Sequence, residues 1–254
     1  MKIETLEDTQ SEGFRIVDLA RESGLITKLI GGLGIAAHDH RSLPAALKRE
    51  FGDIDLVIGR KNGGQLSDFL TAMGYEANKR FNALHGAKRL LFYDVEKQRQ
   101  VDVFVGEFSM CHKLNLENFL EVHPRSLTPD YLLLTKLQIF EINHKDLLDI
   151  LRILYMHATE SEHPDCAGIS LTRMNQILST DWGWYTTAVD NLKKVKEISE
   201  KTLTIMESNE VKSKISTMIE RVESEPKSAK WKARALVGRK KIWYEIPEEV
   251  NGAR

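Results

Sequence analysis

The chain has 254 residues, 42% of them hydrophobic and 29% charged, which suits a soluble globular protein of one large domain or two ordinary ones. Thirty-six basic and thirty-seven acidic residues leave a net charge of -1, which excludes nucleic-acid binding by overall charge and confines it to a local patch. No apolar run is long enough to cross a bilayer, and the acidic start MKIETLEDTQSEGF has no signal core, so a cytoplasmic protein without membrane contact is expected.

Phe14, Val17, Leu19 and Ala20 recur near helical spacing, so residues 14–23 are expected as a helix that Gly24 can end. Residues 25–30 then read as a buried strand. The Gly31-Gly32 pair follows, with Gly34 close by, and lets the backbone turn sharply and approach a ligand without a Cβ in the way. Amides opening the next helix, expected to end near His40, would face the same point, where the helix dipole favours anions. The pair reads either as a phosphate cradle or as a plain strand-to-helix turn. His38 and His40 flank Asp39, but residues two apart do not share a helix face, so surface polarity is the expectation there.

After a loop through Pro44, alternation in DIDLVI (residues 53–58) puts Asp53 and Asp55 on one face and Ile54 and Leu56 on the other. Two carboxylates about 7 Å apart along a strand can share metal ions. Arg60 and Lys61 close that strand, an edge where a triphosphate or an acceptor backbone would lie. Residues 65–73 are expected as a helix closed by Gly74, and residues 80–85, 89–93 and 101–105 as strands of a meander, with Arg80, His85 and Arg89 on the acceptor side. In QVDVFVG, Val101, Val103 and Val105 point one way and Asp102 and Phe104 the other. An acid flanked by apolar residues in a strand needs a partner, and metal is the partner expected.

Three carboxylates and a glycine turn are the equipment for metal-dependent nucleotidyl transfer. A hydroxyl attacking an α-phosphate builds negative charge on the transferring group and on departing pyrophosphate, which two magnesium ions, with manganese as a substitute, would stabilise. Asp53 and Asp55 would bridge both ions, while Asp102 would hold the ion that lowers the acceptor hydroxyl's pKa and take up its proton.

A strand, a Gly-Gly turn, a helix, an Asp-x-Asp strand and a third Asp on a neighbouring strand resemble the DNA polymerase beta-like nucleotidyltransferase superfamily. Gly31, Gly32, Asp53, Asp55 and Asp102 fill its positions in order over residues 25–106. That resemblance implies an α+β (α/β) nucleotidyltransferase fold, a small mixed sheet flanked by helices. It also implies transfer of a nucleoside monophosphate from an NTP such as ATP to a hydroxyl of tRNA, a protein or a small molecule.

Residues 127–154, LTPDYLLLTKLQIFEINHKDLLDILRIL, are similar to the helical segment of the abortive-infection (AbiEii-type) nucleotidyltransferases, toxin members included. By that resemblance Lys136 would reach toward nucleotide phosphates, with Asp146, and Asp149 besides, in matching places, and an antitoxin or a second copy of the chain would be the protein partner. Phe51-Gly52 stands where such toxins carry Ser or Arg. The residues themselves leave alternatives open: Asn143 with Asp146 three residues on is a helix-capping arrangement, and Lys136 amid Leu132, Leu133, Leu137 and Phe140 would equally lay its stem on a core and show its tip to water.

A nucleotidyltransferase domain over residues 1–125 is thus expected, followed by an all-helical domain over 126–254 that closes one side of the cleft. Leu171–Leu178 is apolar on one side, Asp181 caps the next segment, and two amphipathic helices with a break near Ser208-Asn209 lead to Pro226. The tail, residues 227–241, holds seven basic residues and no acid, either a contact for an RNA acceptor or a solvated surface. Cys111 and Cys166 lack CxxC spacing and are expected as free thiols. A catalytically silent nucleotide binder and a partner-binding module are the alternatives to an enzyme.

Overall fold

Alternation on two strands, Ile54–Ile58 and Arg99–Val105, organises the fold, because each buries one set of side chains and leaves the other set on the opposite face. The computed structural model describes residues 4–159 and 168–246, and Cys166 lies outside them. Two compact units are present: the first takes in the described residues to 42 with 48–108 and 115–132, and the second 43–47, 109–114 and the described residues from 133 onward.

The sheet comprises β1 (Thr27–Leu29), β2 (Ile54–Ile58), β3 (Glu76–Ala77), β4 (Arg89–Asp94) and β5 (Arg99–Val105), ordered β1-β2-β5-β4-β3. Only β2 and β5 run parallel; every other neighbouring pair is antiparallel. Its helices are α1 (Thr9–Glu22), α2 (Gly31–Ala36), α3 (Gly63–Ala72) and α4 (Lys79–His85). Asp8 starts α1 by accepting from the Ser11 amide at 2.7 Å. Ile16 and Val17 of α1 and Leu66 and Leu70 of α3 pack on Ile54, Leu56, Ile58, Val101, Val103 and Val105. Each such burial contributes about 1.5–3 kcal/mol, so the apolar cluster fixes which way the opposite face must point.

Past the sheet, β6 (Glu107–Ser109) and β7 (Lys113–Asn115) form a two-stranded ribbon. Helices α5 (Pro129–Leu137), α6 (His144–Met156), α7 (Leu171–Leu178), α8 (Trp182–Thr202), α9 (Ile205–Ser224) and α10 (Ala229–Val237) complete the chain. The architecture is α+β, a small mixed sheet with helices followed along the chain by helices. Among the described residues no helix is long and apolar enough to cross a membrane. Cys111 is a buried free thiol, and burial pushes its pKa up.

Residues 80–85 are not a strand but most of α4, because Asn78 caps that helix by accepting from Phe81 N at 3.0 Å. Asn82 then hooks the helix to β4, accepting from Leu91 N at 2.7 Å and donating to Leu91 O at 3.2 Å. The helices of the tail do not break at Ser208-Asn209. Thr204 and Glu207 form a capping box that starts α9 earlier, and Ser208 lies buried within the helix with its Oγ 2.9 Å from that of Ser199.

Candidate active site

Asp55 and Asp102 are register partners across the parallel pair β2–β5, so their side chains leave the same face of the sheet, opposite the apolar cluster. Asp55 is half-buried within β2 and Asp102 is buried within β5, whereas Asp53 stands exposed immediately ahead of β2.

The glycine turn is tied to this face. Ile30 N donates to Asp55 O at 2.9 Å, which sets the start of α2 beside β2. Gly31 has φ +60, a left-handed conformation that side chains resist, and a Cβ there would fall 2.1 Å from Asp55 Oδ2. Position 31 is glycine for both reasons: backbone shape and the space taken by the carboxylate. A Cβ on Gly32 would fall 1.7 Å from Arg49 Nη2, so this guanidinium lies directly against the turn, with its Cζ 5.1 Å from the Phe51 ring centre. Arg49 was not singled out from the sequence, where one basic residue in KREF looks like any solvated charge.

Asp102 has a partner, and it is a side chain. Arg89 lies on β4 opposite Phe104, a diagonal neighbour of Asp102 on the same face. Its Nε donates to Asp102 Oδ1 at 2.8 Å and its Nη2 to Oδ2, a two-pronged charge-assisted pair. The guanidinium also sits 4.9 Å from the Phe104 ring centre and 6.0 Å from that of Phe81. Among the described residues, no three His, Cys, Asp or Glu side chains gather as a ready ligand set for a metal ion. Asp53 and Asp55 have the hard oxygen donors magnesium takes, but Asp102 already has both oxygens committed to a cation.

Arg60 is exposed; its backbone amide donates to Glu117 Oε1 at 2.9 Å and its Nη2 to Glu107 Oε2 at 3.1 Å, so acids already neutralise it. Lys136 and Asp146 are in the second unit, where Lys136 Nζ lies 2.5 Å from Asp146 Oδ1 and 3.0 Å from Asp149 Oδ2. Burial works against the ammonium, but Asp149 and then Asp146 outweigh it and hold the Lys136 pKa above its ordinary value. Asn143 accepts from Asp146 N at 2.9 Å, so Asp146 also occupies the capped first turn of α6. Arg80 and His85 belong to α4.

His38 corrects the expectation of surface polarity. Its Nε2 donates to Leu127 O at 2.8 Å and lies 2.8 Å from Ser126 Oγ, and its ring lies 4.2 Å from that of His123. His123 Nδ1 accepts from Ser126 N at 3.0 Å and from Arg125 N at 3.4 Å, and Ser126 Oγ stands 3.0 Å away. Burial, with His38, Lys28 and Arg125 nearby, pushes the His123 pKa down to about 4, and burial lowers that of His38 as well. The cluster thus anchors the end of the α2 segment to residues 123–127 with neutral imidazoles.

No protein-family model and no curated protein matches the sequence. Among solved structures, the crystal structure of lincosamide antibiotic adenylyltransferase LnuA, lincomycin-bound, is similar with a TM-score of 0.40 and 18% identity, over 57% of this chain and 96% of that one.

Proposed function

We propose that the chain is a nucleotidyltransferase that moves a nucleoside monophosphate from an NTP to an acceptor hydroxyl. The observation that carries this reading is the seating of Asp55 under Gly31 while it faces Asp102 across β2–β5: a carboxylate pair on one sheet face at a glycine turn. In this reading the turn admits a phosphate close to the backbone, and Arg49 over Gly32 supplies the positive charge that receives it. Magnesium, held by Asp53 and Asp55, would supply charge neutralisation for the transferring group and the leaving pyrophosphate. The acceptor oxygen forms a bond to the α-phosphorus, the bond from that phosphorus to the bridging oxygen breaks, and pyrophosphate leaves with the electron pair. An Asp102 carboxylate oxygen, once released by Arg89, takes the acceptor's proton.

The acceptor is a hydroxyl of tRNA, a protein or a small molecule. Incubating the chain with each α-labelled NTP and separate pools of cellular RNA, protein and metabolites identifies it. Label should enter one pool, and Asp55→Asn should abolish the transfer. Label in none of them, with NTP binding unaffected by Asp55→Asn, would refute the reading. A second reading, a nucleotide-binding protein without transfer activity, is favoured by one observation, the commitment of both Asp102 oxygens to Arg89.

A further inference from the structure

We propose that Arg89 is a latch on the candidate site, a built-in cation that holds Asp102 until a nucleotide's polyphosphate draws it away, so that a divalent ion and the nucleotide load together. This rests on the nucleotidyltransferase reading and adds a regulation of that same site. The fork of Arg89 takes both Asp102 oxygens, and a divalent ion seeking the same oxygens would meet a guanidinium already in place. The three acids named by the sequence do not converge as a ligand set among the described residues, and Asp102 is the one whose oxygens a cation already holds.

The two partners differ in freedom. The Asp102 side chain is 5% exposed and belongs to a central strand, whereas that of Arg89 is 21% exposed on a long flexible stem. The arginine therefore has a way out and the aspartate has none. Phe104 and Phe81 supply aromatic faces beside it, so a guanidinium leaving Asp102 keeps a favourable surface to rest against. The new partner must be anionic, because moving a charge off a buried carboxylate without compensation is costly. A triphosphate at the glycine turn meets that requirement and brings the metal with it. The Arg49 guanidinium lies against Gly32 at the same turn. The latch predicts a positive coupling between metal and nucleotide, the same in both directions.

The test is Mn2+ binding to the full chain, read from the paramagnetic resonance signal of free Mn2+, with and without a non-hydrolysable NTP analogue. Wild type should bind Mn2+ weakly alone and about tenfold or more tightly with the analogue, and Arg89→Gln should gain about that factor without the analogue. Adding Asp102→Asn to Arg89→Gln should remove the gain, because the freed carboxylate is its source. Should Arg89→Gln fail to fold, Arg89→Lys keeps the charge but loses the fork and should tighten Mn2+ binding by roughly threefold. Unchanged or weaker Mn2+ binding in the folded Arg89 variant, while Asp55→Asn still abolishes wild-type binding, overturns the latch and leaves the site reading standing. Mn2+ binding that Asp55→Asn does not alter overturns both.

Discussion

Gly31 and Asp55 compete for one volume: the carboxylate of the strand residue lies where the side chain of any other residue at the turn would begin. Gly31→Ala therefore meets two penalties, a left-handed backbone and a displaced acid. The backbone alone costs about 1–2 kcal/mol. The variant should melt several degrees lower and lose NTP binding in calorimetry. Gly52→Ala, where a Cβ would meet nothing within 4 Å, is the control and should stay within about 0.5 kcal/mol of wild type.

The ion cluster of Lys136 with Asp146 and Asp149 makes a sharper demand on stability. Removing the ammonium takes an ion-pair partner from Asp146 and from Asp149, whose side chain is 2% exposed. Lys136→Met should cost about 3–5 kcal/mol in urea unfolding, and adding Asp146→Asn and Asp149→Asn should restore most of it. A loss that persists in the triple variant would mean that packing of the lysine stem, not charge, is what matters there.

Acid should weaken the first unit through His123. Its folded pKa of about 4 lies below the ordinary 6.5, so its stabilising contribution is full above 6.5 and is lost as the pH falls toward 4. Melting temperature should drop across that window. His123→Asn, which keeps an acceptor for the amides of Arg125 and Ser126 but takes no proton, should flatten the drop.

The capping box at Thr204 gives a prediction independent of any activity. Thr204→Ala removes the acceptor for Glu207 N and should cost about 1 kcal/mol, measured by chemical denaturation. No change would mean that the start of α9 is held by its neighbours instead.

Much of this was legible in the residues, for reasons that can be named. Period-2 alternation across Ile54–Ile58 and Arg99–Val105 is enforced by burial of one face, so the common face of Asp55 and Asp102 follows from pattern alone. Helix α7 begins after Ser170, whose side chain accepts from Arg173 N at 3.3 Å, and its boundaries, Leu171–Leu178, match the expectation. Helix α4 was illegible because R-F-N-A-L-H offers a weak apolar pattern, and what decides its conformation is side-chain bonding by Asn78 and Asn82. The start of α9 is written in T-I-M-E, residues 204–207, a capping signature, whereas the polar Ser208-Asn209 pair that suggested a break lies inside the helix. Arg89 and Arg49 escaped notice as partners of the acids and the turn because a long side chain's reach depends on which strand or loop the fold sets beside it. The sequence showed that Asp102 needs a cation but not that β4 provides one.

The parallel pairing of β2 with β5 also has a bearing on biosynthesis. These strands are neighbours in the sheet yet are separated in the chain by α3, β3, α4 and β4, so their contact is non-local and expensive to form early. A nascent chain emerging from the ribosome can make the glycine turn and the first acids well before it has anything to set beside them. Only when synthesis has passed Val105 and the β4–β5 hairpin has docked does Asp55 acquire its neighbour, and that neighbour arrives with its arginine close by on the adjoining strand.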